Sequence, residues 1–297
     1  AARAKTGRAA SATPVLDHAA RPRLERPAVS MAYGAPVGRP VLAAVDIGNT
    51  HTVVGFFEGA RLVHQVRFES ARGRTEDELR SLLRKLVRIT SPEPLAMKAA
   101  ALGSVVPALT EPVRRAVRRA FGVEPLVVET TLPIGIRVVY DDPRTLGVDR
   151  FVNALAAHER ARGPVIVVDL GTAAKFDCVA ADGTFLGGAI APGQRIAAEA
   201  LAQRAARLAG VPLARPKKVV GRTTETSMQS GIVIGWAAMV EGMVARMKAE
   251  LGPARVIATG GLAPLVEQDV RCIDEIVPQL TLEGLRIAHE RMAVRRS

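Results

Sequence analysis

The sequence predicts an α/β protein made of two similar halves. Three observations carry that prediction: a strand–turn–strand passage that occurs twice, strands alternating with helices around both copies, and enough apolar material for buried sheets. At 48% hydrophobic and 24% charged residues, the 297-residue chain can fill two cores of ordinary size. No apolar run approaches the ~20 residues of a membrane span before Gly, Pro or charge interrupts it, so a soluble protein is expected.

Taken in order, residues 1–40 are rich in Ala, Arg and Pro, lack periodic apolar spacing, and read as a disordered basic extension. They have no apolar h-region of a secretory signal; Met31 is a candidate start, and an Arg-rich, acid-poor transit peptide would share their composition. From Val41 the texture changes. VLAAVDIGNTHTVVGFFEG reads as a buried strand, a Gly/Asn/Thr turn, a second strand and a Glu58-Gly59 turn, and a third strand follows over about Ala60 to Phe68. Leu79, Leu82, Leu83 and Leu86 fall at i, i+3, i+4 and i+7 and predict an amphipathic helix, with Glu76 and Asp77 suited to its first turn. Residues 99–106, ending at Pro107, make a short buried strand. Val113 to Phe121 makes a second helix, whose Arg114, Arg115, Arg118 and Arg119 suit a solvated face better than phosphate binding. After the Arg162-Gly163-Pro164 break, PVIVVDLGTAAKFDCVAADG writes the first hairpin again, with Asp182-Gly183 in place of Glu58-Gly59. A long helix over about Ser227 to Glu250 and a strand, Val256-Ile257-Ala258, running into Thr259-Gly260-Gly261 complete the pattern. The repeated hairpin is the mark of a duplication, with halves at 41–160 and 161–297.

Charge and cysteine content narrow the function. Lys and Arg total 41 against 29 acidic residues, a net charge of +12, which suits an anionic partner such as a phosphorylated small molecule, nucleic acid or a membrane surface. Much of the excess is local: Arg3, Lys5, Arg8, Arg21, Arg23, Arg26 and Arg39 stand in the extension against Asp17 and Glu25. One Trp and two Tyr leave few stacking platforms, and no helix-turn-helix, zinc site or basic-aromatic stripe is present, so neither nucleic acid nor a membrane is expected as a partner. Cys178 and Cys272 form no disulfide framework or metal-ligand spacing, which fits a reducing, cytoplasmic setting. Cys178 reads as core, and Trp236 with Met239 as packing or a dimer contact.

Chemistry enters at the turns. A buried strand ending in Asp-x-Gly-x-Thr and folding straight back exposes backbone N–H groups that cradle a phosphate. Glycine permits close approach, Thr adds a hydroxyl, and the Asp at the strand end can hold a cation or its water shell. Asp46-Ile47-Gly48-Asn49-Thr50 alone could be an ordinary turn; its recurrence at Asp169-Leu170-Gly171-Thr172, with Thr259-Gly260-Gly261 besides, points to an ATP cleft between halves. Gly147-Val148-Asp149-Arg150 opens the helix FVNALAAH and offers a carboxylate as base beside a guanidinium for an anionic group. Out of context the same residues would be a helix N-cap and a surface charge.

DIGNTHTV, SVVP, Tyr140 with DDPRTLGVDRFVNALAA, VVDLGTA, FLGGAIAPG, TETSMQSG and ATGGLA occur in the order and spacing of the type III pantothenate kinases, which the chain resembles over about 41–290. The resemblance implies the fold of acetate and sugar kinases, Hsp70 and actin: two ribonuclease-H-like domains with ATP between them. It also implies transfer of the ATP γ-phosphoryl group to the primary hydroxyl of pantothenate, the first step of coenzyme A synthesis. On that basis Asp46, Ile47, Gly48, Asn49, Thr50, His51, Thr52 and Val53 form the first ATP loop, and Thr172 is a further ATP contact. Asp149 is the general base; Tyr140, Gly147, Val148, Arg150 and Thr224 bind substrate; and Asp169 holds a monovalent cation. ATP with Mg²⁺, K⁺ or NH₄⁺, and a homodimer are implied with them.

Two departures stand out. Where the family usually continues Gly-Thr-Ala-Thr-Thr, this chain has Gly171-Thr172-Ala173-Ala174-Lys175. Lys175 could point to solvent; turned inward, its charge could sit near the triphosphate or replace the monovalent cation, making K⁺ dispensable, or it could spoil the site. His51 stands where the family commonly has Asn and reads as a turn residue. Besides an active kinase, two readings remain open: a non-catalytic relative acting as a transcription accessory factor, and a phosphotransferase or phosphatase of the same superfold with another substrate. Salt-dependent DNA binding would mark the first, and ATP hydrolysis without pantothenate phosphorylation the second.

Overall fold

Each predicted hairpin seeds a sheet. The computed structural model describes residues 40–91, 95–204, 211–263 and 269–296, so the extension expected over 1–40 falls outside it, apart from Pro40. Strands β1 (Pro40–Ile47), β2 (His51–Glu58) and β3 (Arg61–Glu69) form an antiparallel meander, and β4 (Ala96–Ser104) and β5 (Leu126–Val127) add parallel strands beyond β1. The second sheet repeats this plan. Strands β7 (Val165–Leu170), β8 (Ala173–Val179) and β9 (Thr184–Pro192) form its meander, and β10 (Arg255–Thr259) and β11 (Glu275–Ile276) its parallel edge. The orders β3-β2-β1-β4-β5 and β9-β8-β7-β10-β11 match strand for strand, and β6 (Arg137–Val138) extends the second sheet beside β9.

Five layers result. Helices α1 (Glu76–Thr90) and α2 (Pro107–Phe121) cover one face of the first sheet, burying Leu79, Leu83, Leu109, Val113 and Val117 against Val45, Ile47, Val54 and Phe56. Each fully buried Leu or Val there is worth about 1.5–3 kcal/mol. The N-terminus of α1 is closed by a reciprocal pair, with the Thr75 hydroxyl accepting from the Glu78 backbone N–H while the Glu78 carboxylate accepts from that of Thr75. Helix α2 starts at Pro107, well before the predicted Val113: Pro107 suits the first turn, and Pro112, the apparent break, is absorbed in the second. Its Arg114, Arg115, Arg118 and Arg119 pair with Glu111, Glu124, Glu76 and Asp77, the solvated face expected.

Between the sheets lie α3 (Val148–Ala161) and α7 (Leu280–Arg296). Phe151, Val152 and Ala154 to Ala157 are all buried, and Asn153 with them, so this stretch of α3 is covered all round, as a helix enclosed on both sides must be. The two helices cross closely at Gly284, where a Cβ would lie 2.1 Å from the Val152 carbonyl oxygen. Leu282 and Leu285 of α7 fill the space left by Gly55 in β2 and Gly103 in β4.

Helices α4 (Gln194–Arg204), α5 (Thr224–Gln229) and α6 (Gly235–Leu251) follow the second meander. A π turn, Ser230–Ile234, joins α5 to α6, so the predicted helix begins earlier than Ser227 and is continuous over Thr224–Leu251. That run is long and apolar enough to cross a membrane by length and composition, a match the search for uninterrupted apolar runs missed. Half of its most apolar stretch is buried inside the protein, with Trp236, Ala237, Val240 and Val244 against Ile166, Val168 and Phe176. Trp236 also donates to the Pro192 carbonyl, so it is a packing residue. Cys178 is partly buried and its thiol is pushed up to about 11 by burial, which suits the core reading.

Candidate active site

The duplicated strands deliver their turns to one place. Asp46 is the penultimate residue of β1 and Asp169 that of β7; the turns after these strands meet where the Thr50 and Thr172 hydroxyls lie 3.3 Å apart, across 122 positions of sequence. In the first turn the Gly48 N–H donates to the His51 carbonyl, and in the second the Gly171 N–H donates to that of Ala173. The first turn is one residue longer, since β1 and β2 pair up to Ile47 and Thr52, and β7 and β8 up to Leu170 and Ala174. Gly260 closes the back of the site with φ +94°; a Cβ there would meet the Leu170 backbone at 2.5 Å and Asp169 Oδ1 at 2.7 Å. The Thr-Gly-Gly turn therefore packs directly on the second Asp-x-Gly turn.

Within 46–53 the residues divide. Asn49 and Thr50 are exposed at the turn, whereas Ile47 is fully buried and Val53 packs in the core between the sheets. Thr52 is buried and its hydroxyl bonds that of Ser70, 2.9 Å away. His51 Nδ1 accepts from Arg67 Nη2 at 2.9 Å; burial and then the charge of Arg67 hold the imidazole below its usual range, so it is neutral. Arg67, on β3, also reaches within 3.8 Å of where a Gly261 Cβ would stand. It links the first turn to the Thr-Gly-Gly turn, and the sequence reading passed over it because it lies in the third strand, outside both motifs.

Asp149 enters from α3. Gly147 is the N-cap, so Asp149 is not the cap of the bland reading; its Oδ1 accepts from the Arg150 backbone N–H at 2.8 Å. Nor is Arg150 a surface charge. It is buried, donating to Asp177 Oδ1 from Nε at 2.8 Å and from Nη2 at 2.5 Å, and from Nη1 to the Tyr140 hydroxyl at 3.2 Å, with its guanidinium over the Phe185 ring. Burial pushes the Asp177 carboxyl up to about 6 even with Arg150 beside it. A carboxylate raised on folding adds stability below its unfolded value and loses it as pH rises through 6, while against burial Asp177 in turn holds the Arg150 guanidinium above its ordinary range. Asp177 was missed in the sequence, although it stands two places after Lys175 and so shares its face of β8. Val148 is buried against the central core. Thr224 opens α5 in an exposed position, and no hydrogen bond among the described residues joins it to Tyr140, Asp149 or Arg150.

Lys175 turns inward. Its ammonium donates to Asp149 Oδ2 at 2.6 Å and to Asp169 Oδ2 at 2.8 Å, bridging the two carboxylates. Burial opposes its charge, but the two acids outweigh burial and keep it above the ordinary lysine range. Asp169 is raised, mainly by burial, with Lys175 opposing. Asp46 has no hydrogen-bonded cation among the described residues, and Lys175 lowers it only through its charge. Burial first, then the charges of Asp149 and Asp169, push it up to about 7.

Against known proteins, the family description "type III pantothenate kinase" matches residues 42–246. The type III pantothenate kinase of Myxococcus xanthus is 46% identical over 252 residues, covering 84% of this chain and 98% of that protein. That of Moorella thermoacetica is 44% identical over 252 residues, covering 84% and 99%. The chain belongs to the type III pantothenate kinase family. Solved structures add the fold. A ROK hexokinase from Thermus thermophilus superposes with a TM-score of 0.51 at 15% identity, covering 86% of this chain and 100% of that one. The ethanolamine utilization protein EutJ from Carboxydothermus hydrogenoformans gives 0.50 at 14% identity, covering 85% and 91%. The type III pantothenate kinase chain thus has the α/β, actin-like ATPase fold that the family resemblance implied, in keeping with the two similar halves read from its repeated hairpin.

The groups this family implies meet different fits. Mg²⁺ arriving on ATP phosphates needs only one or two protein carboxylates. No group of three or more His, Cys, Asp or Glu residues among the described ones makes a metal site, and Asp46, buried beside two other carboxylates, is the residue to gain from added positive charge. A monovalent cation on Asp169 does not fit in the same way. One of its carboxylate oxygens, Oδ2, already accepts from the Lys175 ammonium, and a cation bound at that oxygen would touch a like charge.

Proposed function

We propose that this protein transfers the γ-phosphoryl group of ATP to the primary hydroxyl of pantothenate, giving 4'-phosphopantothenate, the first step of coenzyme A synthesis. The observation that supports it most is the placement of Asp149, at the head of α3, beside the end of the second phosphate strand and next to buried Arg150. The two turns and their threonines would hold the triphosphate, with Mg²⁺ on the phosphates supplying charge neutralisation and Asp46 holding its water shell. Asp149 would accept the hydroxyl proton as the oxygen bonds phosphorus and the bond to ADP breaks. Arg150, fixed by Asp177 and Tyr140, keeps N–H groups free to bind and orient substrate.

In this reading residues 41–160 and 161–297 are the two ribonuclease-H-like domains with ATP between them. The enzyme works in the cytoplasm as a homodimer, an assembly favoured by Leu186 and Ile190 on β9 and Ile196 and Leu201 on α4, all large apolar side chains left exposed. Paired arginines on α2 and the intact carboxylates give the transcription-factor alternative no support. The test is ATP-dependent turnover of pantothenate by the full chain, with the product read by mass spectrometry. ADP release without 4'-phosphopantothenate would refute the substrate, and no turnover at all would refute the activity.

A further inference from the structure

Across the β7–β8 pair, Lys175 stands directly opposite Asp169. The matching place in the first hairpin, opposite Asp46, is held by Val53. The hairpin architecture therefore tolerates an apolar side chain at this position and does not itself call for a charge. What calls for one lies across the site: Asp46, Asp149 and Asp169 share a partly buried space, where Asp149 and Asp169 raise the cost of ionising Asp46, and Asp149 that of ionising Asp169. Among the described residues the Arg150 guanidinium makes no hydrogen bond to any of the three; its Nε and Nη2 donate to Asp177 and its Nη1 to Tyr140. Lys175 is, among the described residues, the cation paired with two of them, with side-chain exposure of 20% against 17% for Asp149 and 14% for Asp169.

We propose that Lys175 is a positioning residue for phosphoryl transfer: a tethered counter-cation that holds the Asp149 carboxylate aimed, in the place where a free monovalent ion would otherwise bind Asp169. This rests on the reading of Asp149 as the base. An ammonium carries three N–H groups, and two are used on Asp149 Oδ2 and Asp169 Oδ2; the third remains for an incoming anionic ligand. Because the charge is on the chain, its occupancy does not depend on ion concentration, and turnover should not either. Threonine in its place leaves three carboxylates with no resident cation and opens room for one from solution.

The experiment uses the full chain, wild type and the variants Lys175→Thr and Lys175→Arg, in buffers whose only other cation is tetramethylammonium. Turnover and nucleotide-free thermal melting are both followed as KCl or NH₄Cl is added. Wild type should turn over at the same rate with or without either ion, and its melting should respond no more to KCl than to tetramethylammonium chloride. Lys175→Thr should lose on the order of 100-fold in kcat, the scale of a disabled general base, and recover a substantial part with NH₄⁺ or K⁺. Its melting temperature should rise with the same ions, as it does when a ligand binds the native state alone. Lys175→Arg should retain part of kcat without any ion. A wild-type enzyme that requires K⁺ would overturn the proposal, as would a Lys175→Thr variant that is fully active without ions. A Lys175→Thr loss that no ion restores, with melting equally unresponsive, would also overturn it. If no protein phosphorylates pantothenate, the functional reading fails by itself, and the melting response of Lys175→Thr still decides whether the lysine replaces an ion.

Discussion

Replacing Asp46 by Asn should make the protein more stable at alkaline pH while disabling it. Burial and the neighbouring Asp149 and Asp169 carry the Asp46 carboxyl from 3.8 to about 7. An acid raised on folding binds its proton more tightly in the native state, so its contribution is complete below pH ~4 and is lost as pH climbs through 7. Three units at 1.36 kcal/mol each make that contribution about 4 kcal/mol. At ~2–4 °C per kcal/mol for a chain of this size, the corresponding melting shift is about 8–16 °C. Asparagine keeps the shape of a protonated aspartate and never ionises. Melting curves of wild type and Asp46→Asn, taken without nucleotide or divalent ion from pH 3.5 to 8.5, should nearly coincide at the acid end, part as pH rises from about 4, and approach their full separation in favour of the variant by about pH 7. The variant should also lose most of its turnover, a trade of activity against stability common in charged sites. Parallel curves across the whole range would refute the reasoning, because they would mean that Asp46 ionises in the folded protein as readily as in the unfolded chain.

Asp149→Asn should lower kcat by about 10²–10⁴-fold with the KM for ATP nearly unchanged, and wild-type turnover in that variant would remove Asp149 as the base. Thr50→Ala and Thr172→Ala should each raise the KM for ATP, and the double variant should fall short of the product of the single effects, since the two hydroxyls already touch. Gly284→Ala should cost about 1–3 kcal/mol, because its Cβ would drive α3 and α7 apart; an unchanged melting temperature would show the crossing to be looser than described.

The duplicated hairpin was the most legible feature, because strand, turn and strand are local and their apolar runs are unbroken; it carried through to two sheets of equal strand order. The α1 face was legible for the same reason, in Leu79 and Leu83. The direction of Lys175 was not. Alternation places Lys175 and Asp177 on one face, but which face depends on pairing across β7, and the two turns differ by a residue. Arg150 looked like a surface charge because its partner stands 27 positions away, on another element. Arg67 carries no motif and is placed only by the pairing of β3 with β2. Helix α7 left no clean amphipathic stripe, since it is enclosed by α3 on one side and the first sheet on another, and the reading along the chain stopped short of it.

The position of α7 has a consequence for how the protein is made. Residues 280–296 cover the inner face of a sheet whose first strand is residue 40 onward, with Leu282 and Leu285 seated over Gly55 and Gly103. β6, from the earlier half, meanwhile belongs to the later sheet. From the end of β5 to the end of α7, a nascent chain emerging at ~5–20 residues per second therefore leaves the α7-covered part of that inner face open for about 8–34 seconds. The first half cannot mature as an independent unit during synthesis, and closure over so long a separation favours slow folding. Chaperone dependence should be concentrated in that interval, on the apolar surface around Ala44, Phe57 and Ala101 that waits for its covering helix.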